Sequence, residues 1–167
     1  AILVKVNRDT IQIEAFYIMM GLKSDYTREI IGIANIPTES ASGWELVLQE
    51  LKQRGVEKVH LFVSDGLKSL EKAIAKVFNE SVHQKCIVHL IRSILAKVRS
   101  NHKEEIAADF RLVLDPDNHK YNKTEAFKRL ESFADKWGKL YRHIQLLPQK
   151  EDISYYFNYL QYDHRIR

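Results

Sequence analysis

Residues Val56 to Val98 read VEKVHLFVSDGLKSLEKAIAKVFNESVHQKCIVHLIRSILAKV, and the apolar period changes repeatedly within them. Val59 to Val63 is a short apolar run that stops at Ser64-Asp65-Gly66, the pattern of a strand closed by a turn. Leu70, Ala73, Ile74, Val77 and Phe78 then recur at helical spacing. Val82 to Val88 reads as a strand again, and Ile91, Ile94, Leu95 and Val98 as the stripe of another helix. The spacing therefore predicts strand, helix, strand, helix.

Toward the N-terminus, Trp44, Val47, Leu48 and Leu51 fall at i, i+3, i+4 and i+7, a helical stripe ended by Gly55. Ser42 or Ser40 is placed to cap it. Before it, alternating residues such as Ile11, Ile13, Ala15 and Tyr17 predict three strands in an antiparallel meander, Ala1–Asn7, Thr10–Leu22 and Thr27–Ile36. Toward the C-terminus the chain reads as helical. Ile106, Phe110, Val113 and Leu114 form one stripe, broken at Asp115-Pro116, and Phe127, Leu130, Phe133, Ala134, Trp137 and Tyr141 form another. Pro148 opens a last aromatic stretch, Tyr155 to Tyr162. Three antiparallel strands followed by alternating helix and strand is the order of an α/β, ribonuclease-H-like mixed sheet. Order alone does not fix function.

The bulk composition excludes some classes. With 45% hydrophobic and 29% charged residues over 167 positions, the chain is an ordinary globular protein, neither fibrous nor disordered. No apolar run approaches membrane-spanning length. Cys86 is the single cysteine, so no internal disulfide forms and an intracellular compartment is favoured. The chain opens AILVKVNRDT without an initiator Met or a signal peptide, as expected of a piece of a longer protein. A net charge of +4 permits a polyanionic partner without requiring one.

Three groups of residues can carry chemistry. Asp65 ends a strand and precedes Gly66; at the carboxyl end of a strand a carboxylate can bind Mg²⁺, and it can equally cap the helix beginning near Leu67. Cys86 and His89 form a Cys-x-x-His pair with His83 close by. A structural zinc site ordinarily takes four ligands, often two or more of them cysteines, so Cys86 reads better as a small buried hydrophobe in the strand. Its use as a nucleophile would need an activating base such as His89. Arg92, Arg99 and Lys103 are spaced to share one face of the helix after Val88, with Lys85 and Lys97 nearby, and could track a phosphate backbone or line a solvated face. Trp44 and Trp137 fit their apolar stripes and read as core.

These same residues resemble the bacterial mutator-type insertion-sequence transposases. Gly55-Val56 before the strand, Ser64-Asp65-Gly66-Leu67-Lys68, the Ala-Ile and Val-Phe of the following helix, and Gln84-Lys85-Cys86-Ile87-Val88-His89-Leu90-Ile91-Arg92 occur together at the family's spacing. Ser42-Gly43-Trp44 upstream fits too, and Phe133-Ala134-Asp135-Lys136-Trp137 resembles the family's helical insertion.

The resemblance implies a ribonuclease-H-like core over residues 1–100 and a helical insertion region over 101–167. It implies a triad of two Asp and one Glu holding two Mg²⁺ (or Mn²⁺) ions, with Asp65 matching the second Asp and Cys86 and His89 matching a family signature. The family's first Asp stands immediately before a segment like AILVKV, and its Glu beyond a segment like His164-Arg165-Ile166-Arg167. Both therefore fall outside this sequence; Asp9, Glu14 and Asp25 do not occupy the motif position. One carboxylate cannot hold two cations about 4 Å apart. The expectation is a DNA transposase that cleaves and transfers strands in the bacterial cytoplasm, partnered by double-stranded DNA and self-associating when full-length. The 167-residue piece alone is expected to bind no metal and to be inactive. Two rivals are a non-catalytic DNA-binding or assembly module of the same fold and a ribonuclease-H-type nuclease; the long helical stretch after His89 counts against the second.

Overall fold

The computed structural model describes residues 2–7, 9–36, 40–115, 118 and 120–163. The chain divides into two compact units, one of residues 1–62 with 66–81, the other of residues 63–65 with 82–167.

In the first unit, β1 (Ile2–Asn7), β2 (Ile11–Leu22) and β3 (Arg28–Asn35) form an antiparallel meander in the order β1-β2-β3. Alternation places Ala15, Tyr17 and Met19 on one face, and register sets Tyr17 opposite Ala34 and Met19 opposite Gly32. A bulge between Met19 and Met20 leaves Ile31 without an opposite residue. A Cβ at Gly32 would lie 2.7 Å from Met19 Cε, the end of a flexible side chain that would have to turn aside.

That face packs on α1 (Ala41–Gln53) and α2 (Lys68–Val77). Ser40 rather than Ser42 caps α1, its Oγ accepting from the Gly43 amide at 3.1 Å. At the other end Gly55, with φ +98°, allows its own amide to reach Lys52 O and the Val56 amide to reach Leu51 O. Trp44, Leu48, Leu51, Ala73, Ile74, Val77 and Phe78 complete the core, with Tyr17 edge-on to Trp44 at 4.7 Å between ring centroids. The opposite sheet face leaves Ile18, Met20, Ile30 and Ile33 exposed.

In the second unit the end of β4 (Leu61–Ser64) pairs with β5 (Val82–Lys85). The helices α3 (Ile87–Leu95), α4 (Lys103–Leu114), α5 (Lys123–Gly138) and α6 (Arg142–Gln145) follow, then 3-10 turns over Leu147–Gln149, Ile153–Tyr156 and Asn158–Gln161. Ile106, Phe110, Val113, Leu130, Ile144, Leu147 and Phe157 are fully buried in one core. Arg129 ties the end of α4 to α5 by bonding Leu112 O at 2.8 Å and the Asp115 carboxylate at 2.9 Å. Burial pushes the Tyr121 hydroxyl, which donates to Val113 O, up to about 12.

Three details differ from the sequence expectations. The described strands hydrogen-bond as a sheet of three and a sheet of two, not as one mixed sheet. The strand expected over Val82–Val88 ends at Lys85, because Ile87, Leu90, Ile91 and Ile94 already follow the helical period that packs them on the core. Cys86 consequently stands half-buried at the N-terminal boundary of α3 instead of within a strand. The expected basic helix also breaks: α3 stops at Leu95, and Arg99 is extended, with φ −63° and ψ 146°. The Tyr141 hydroxyl pins this break, accepting from the Arg99 amide at 3.2 Å and meeting His102 Nδ1 at 2.7 Å.

Candidate active site at the end of β4

β4 delivers Asp65 one residue beyond its last paired position, with the side chain exposed. Gly66 then takes φ +85°, a left-handed turn that a Cβ would strain, and directs the chain into α2. The N-cap of α2 is Leu67, with no side-chain cap bond, so the capping role open to Asp65 in the sequence is not taken up. The carboxylate is left at the carboxyl end of a strand, on an exposed residue. Such a group can donate one or two oxygens to a hard divalent cation.

The residue before it is fixed on two sides. Ser64 Oγ lies 2.8 Å from His83 Nε2, and the Ser64 carbonyl accepts from the Cys86 amide at 2.6 Å. β5 thus ties the Cys-x-x-His segment to the strand end that bears Asp65. Cys86 and His89 sit at the boundary and in the first turn of α3, Cys86 half-buried and His89 exposed. Among the described residues, no three His, Cys, Asp or Glu side chains converge as a metal-binding group. The fit to a two-cation centre is therefore partial: Asp65 suits one carboxylate position.

β5 is itself held from the far end of the chain. Asn158 Nδ2 donates to His83 O at 2.8 Å, and the Tyr159 amide donates to Gln84 Oε1 at 2.9 Å. Lys85, grouped by sequence with the exposed cations, is buried at 5% relative exposure, with its ammonium 2.8 Å from Asp152 Oδ2 and over the Tyr155 ring. Its hydrogen bond and charge hold the Asp152 carboxyl below the usual carboxylate range against partial desolvation. Lys85 is thereby committed within the unit and does not face solvent as a phosphate contact would. Its place at an inward position of β5 is the reason, one that a list of basic residues cannot reveal. Arg92, Arg99 and Lys103 are exposed, but on three successive segments: α3, the extended break, and the start of α4.

Sequence reasoning missed His83, Asn158 and Asp152 as partners of this strand end. The signal is absent from local pattern, since Asn158 and His83 are 75 residues apart in the chain.

Comparison with known proteins supplies the class. The family described as "Transposase, Mutator family" matches residues 1–167, and the chain belongs to that family. It is 35% identical to the transposase for insertion sequence element IS1201 of Lactobacillus helveticus, over 93% of this chain and 42% of the relative. It is also 35% identical to the transposase for insertion sequence element ISRM3 of Rhizobium meliloti, over 78% of this chain and 32% of that protein. The transposase for IS256 in transposon Tn4001 of Staphylococcus aureus is 37% identical over 49% of this chain. The chain spans less than half the length of the first two of these relatives. Among the described residues, no helix is long and apolar enough to cross a membrane.

Proposed function

We propose that the protein containing this chain is an insertion-sequence transposase that cleaves DNA and transfers the freed strand, with Asp65 as one of its metal-binding carboxylates. The observation that carries the reading is Asp65 itself: an exposed carboxylate at the end of β4, not spent on capping α2, in a chain of the Mutator transposase family. The order of three antiparallel strands, then helix, strand, helix, strand, helix supports a ribonuclease-H-like core over residues 1–100, with residues 101–167 as its helical insertion.

Mg²⁺ or Mn²⁺ bound there would supply activation of the attacking oxygen and stabilisation of the leaving 3′ oxygen. Asp65 holds its share of that charge at a fixed point, while Ser64 and Gly66 set its backbone on either side. Arg92, Arg99 and Lys103 approach phosphates of double-stranded DNA without reading bases. The chain spans less than half the length of the IS1201 and ISRM3 relatives, so the whole protein, which is expected to self-associate, is the unit to which the activity is assigned.

The test uses the full-length protein with DNA carrying the element's ends in Mg²⁺. Asp65→Ala is expected to lose about 100-fold or more of cleavage and strand transfer, as removal of several kcal/mol of cation-mediated stabilisation requires. Activity within a few-fold of the parent overturns the assignment. The same protein should lose about one unit of the slope of log K against log salt for each phosphate-contacting side chain removed among Arg92, Arg99 and Lys103.

A further inference from the structure

Asp65 leaves its carboxylate open while the residue beside it is locked, and that lock can be traced into the helical part of the same unit. Ser64 Oγ meets His83 Nε2 at 2.8 Å in a partly buried setting. The backbone of His83 is held in turn by Asn158, whose Nδ2 donates to the His83 carbonyl at 2.8 Å. Asn158 is buried at 7% relative exposure, and its Oδ1 accepts from Lys123 Nζ at 2.9 Å. The contacts therefore run Lys123 to Asn158 to His83 to Ser64, ending one peptide bond from Asp65. All of these residues belong to the second unit.

A buried asparagine with both amide atoms engaged, on a 3-10 turn 75 residues from its strand partner, is costly to assemble for strand pairing alone. β5 already has a second tether, the Tyr159 amide on Gln84 Oε1. What is added is the Ser64–His83 contact, which fixes a side-chain rotamer at the last residue of β4, with Asn158 holding the His83 backbone behind it. A divalent cation needs its carboxylate oxygens placed closely, and groups behind the ligand commonly supply that placement.

We propose that His83 and Ser64 are positioning residues for the reaction, acting through Asp65, and that Asn158 links this position to the helical part of the unit. The inference rests on the reading of Asp65 as a cation ligand. The imidazole and the hydroxyl touch neither substrate nor cation; they hold the strand end in one geometry. Loss of either lets Asp65 sample positions that no longer bind the cation well, so more Mg²⁺ is needed to reach a given rate.

The experiment measures strand transfer by the full-length protein across a Mg²⁺ titration, for the parent and for Ser64→Ala, His83→Ala, His83→Gln, the Ser64→Ala/His83→Ala pair and Asp65→Ala. Thermal unfolding of each variant is followed in parallel. Ser64→Ala and His83→Ala are each expected to raise the Mg²⁺ concentration for half-maximal rate about 10-fold, the size seen when a ligand's supporting partner is removed. The double variant should be no worse than the worse single one, since one contact is lost in all three. His83→Gln, which keeps a hydrogen-bonding group on the Ser64 side, should recover most of the loss. An effect on melting with no change in Mg²⁺ dependence, equal loss in His83→Gln and His83→Ala, or additive losses in the pair would overturn the proposal. Should Asp65→Ala stay active, the site reading fails and this inference fails with it; Asp65→Ala inactive with Ser64→Ala and His83→Ala unchanged sinks the inference alone.

Discussion

In residues 1–62 and 66–81 the main contacts join β1 to β2 and β2 to β3, which follow one another in the chain, and α1 to α2, which are separated by β4. In the other unit β5 is braced by the 3-10 turns at Ile153–Tyr156 and Asn158–Gln161, at sequence separations near 75 residues. The first kind of unit is built from local pattern: alternation, a cap, a glycine stop. The second depends on aromatic and polar side chains that arrive late in the chain and close over a strand of four residues. Position 65 belongs to the second kind, so the candidate carboxylate is only as well placed as the C-terminal turns are well packed.

The largest expected effect tests that dependence. Phe157 is fully buried, packs against Phe127 at 5.5 Å between ring centroids, and joins the two 3-10 turns that hold β5. Phe157→Ala should cost about 3–5 kcal/mol in chemical denaturation, from lost transfer energy and the cavity left behind. Ile33→Ala on the exposed sheet face, opposite Ile18, should cost less than about 1 kcal/mol, the scale of one cross-strand pair. If the two substitutions cost the same, the contrast between the units is wrong.

How much of this was legible follows the same division. The three strands, the α1 stripe through Trp44 and Leu51, and the α2 stripe through Ile74 and Phe78 could be read because each residue's burial is set by neighbours three or four places away, or two in a strand. Asp65 could be singled out because a strand, an acid and a glycine occur in order. Residues 86–103 misled the reading in two ways. β-branched Ile87 and Val88 suited a strand until the burial of Leu90 and Ile94 decided for a helix. Arg92, Arg99 and Lys103 fit one helical face only if the helix continues, and Tyr141 stops it from 42 residues away. Lys85 and His83 were beyond reach for the same reason: their partners Asp152 and Asn158 carry no periodic signal.

The local devices of the first unit predict a middle-sized effect. Gly55 sits at φ +98° with nothing within 4 Å of where a Cβ would stand, so Gly55→Ala is purely a backbone penalty of about 1 kcal/mol. Ser40→Ala removes the side chain that accepts from the Gly43 amide at the start of α1 and should cost about 1 kcal/mol as well. The sites stand at opposite ends of α1 and share no partner, so the double variant should show the sum in its denaturation midpoint. A clear departure from additivity would mean that the ends of α1 are coupled through the core, making this unit less locally built than its contacts imply.

The smallest effect probes the ion pair inside the second unit. Lys85 holds the Asp152 carboxyl below its ordinary value of 3.8, so the folded state binds that proton less readily than the unfolded chain does. The pair's contribution is therefore fully present above pH 3.8 and fades as pH falls below that value through the depressed folded one. Asp152 is 43% exposed in its side chain, so solvent screens the pair and its contribution is a fraction of what a dry pair would give. In Lys85→Met, whose apolar chain suits the buried site, the denaturation midpoint should lose this particular acid dependence and otherwise run parallel to that of the parent. Parallel curves through the whole acid range would mean that Asp152 gains nothing from Lys85. The burial of Lys85 would then be owed to contacts other than this ion pair, its packing against Tyr155 among them, and β5 would be braced to the late turns by His83 and Gln84 without help from the Asp152 charge.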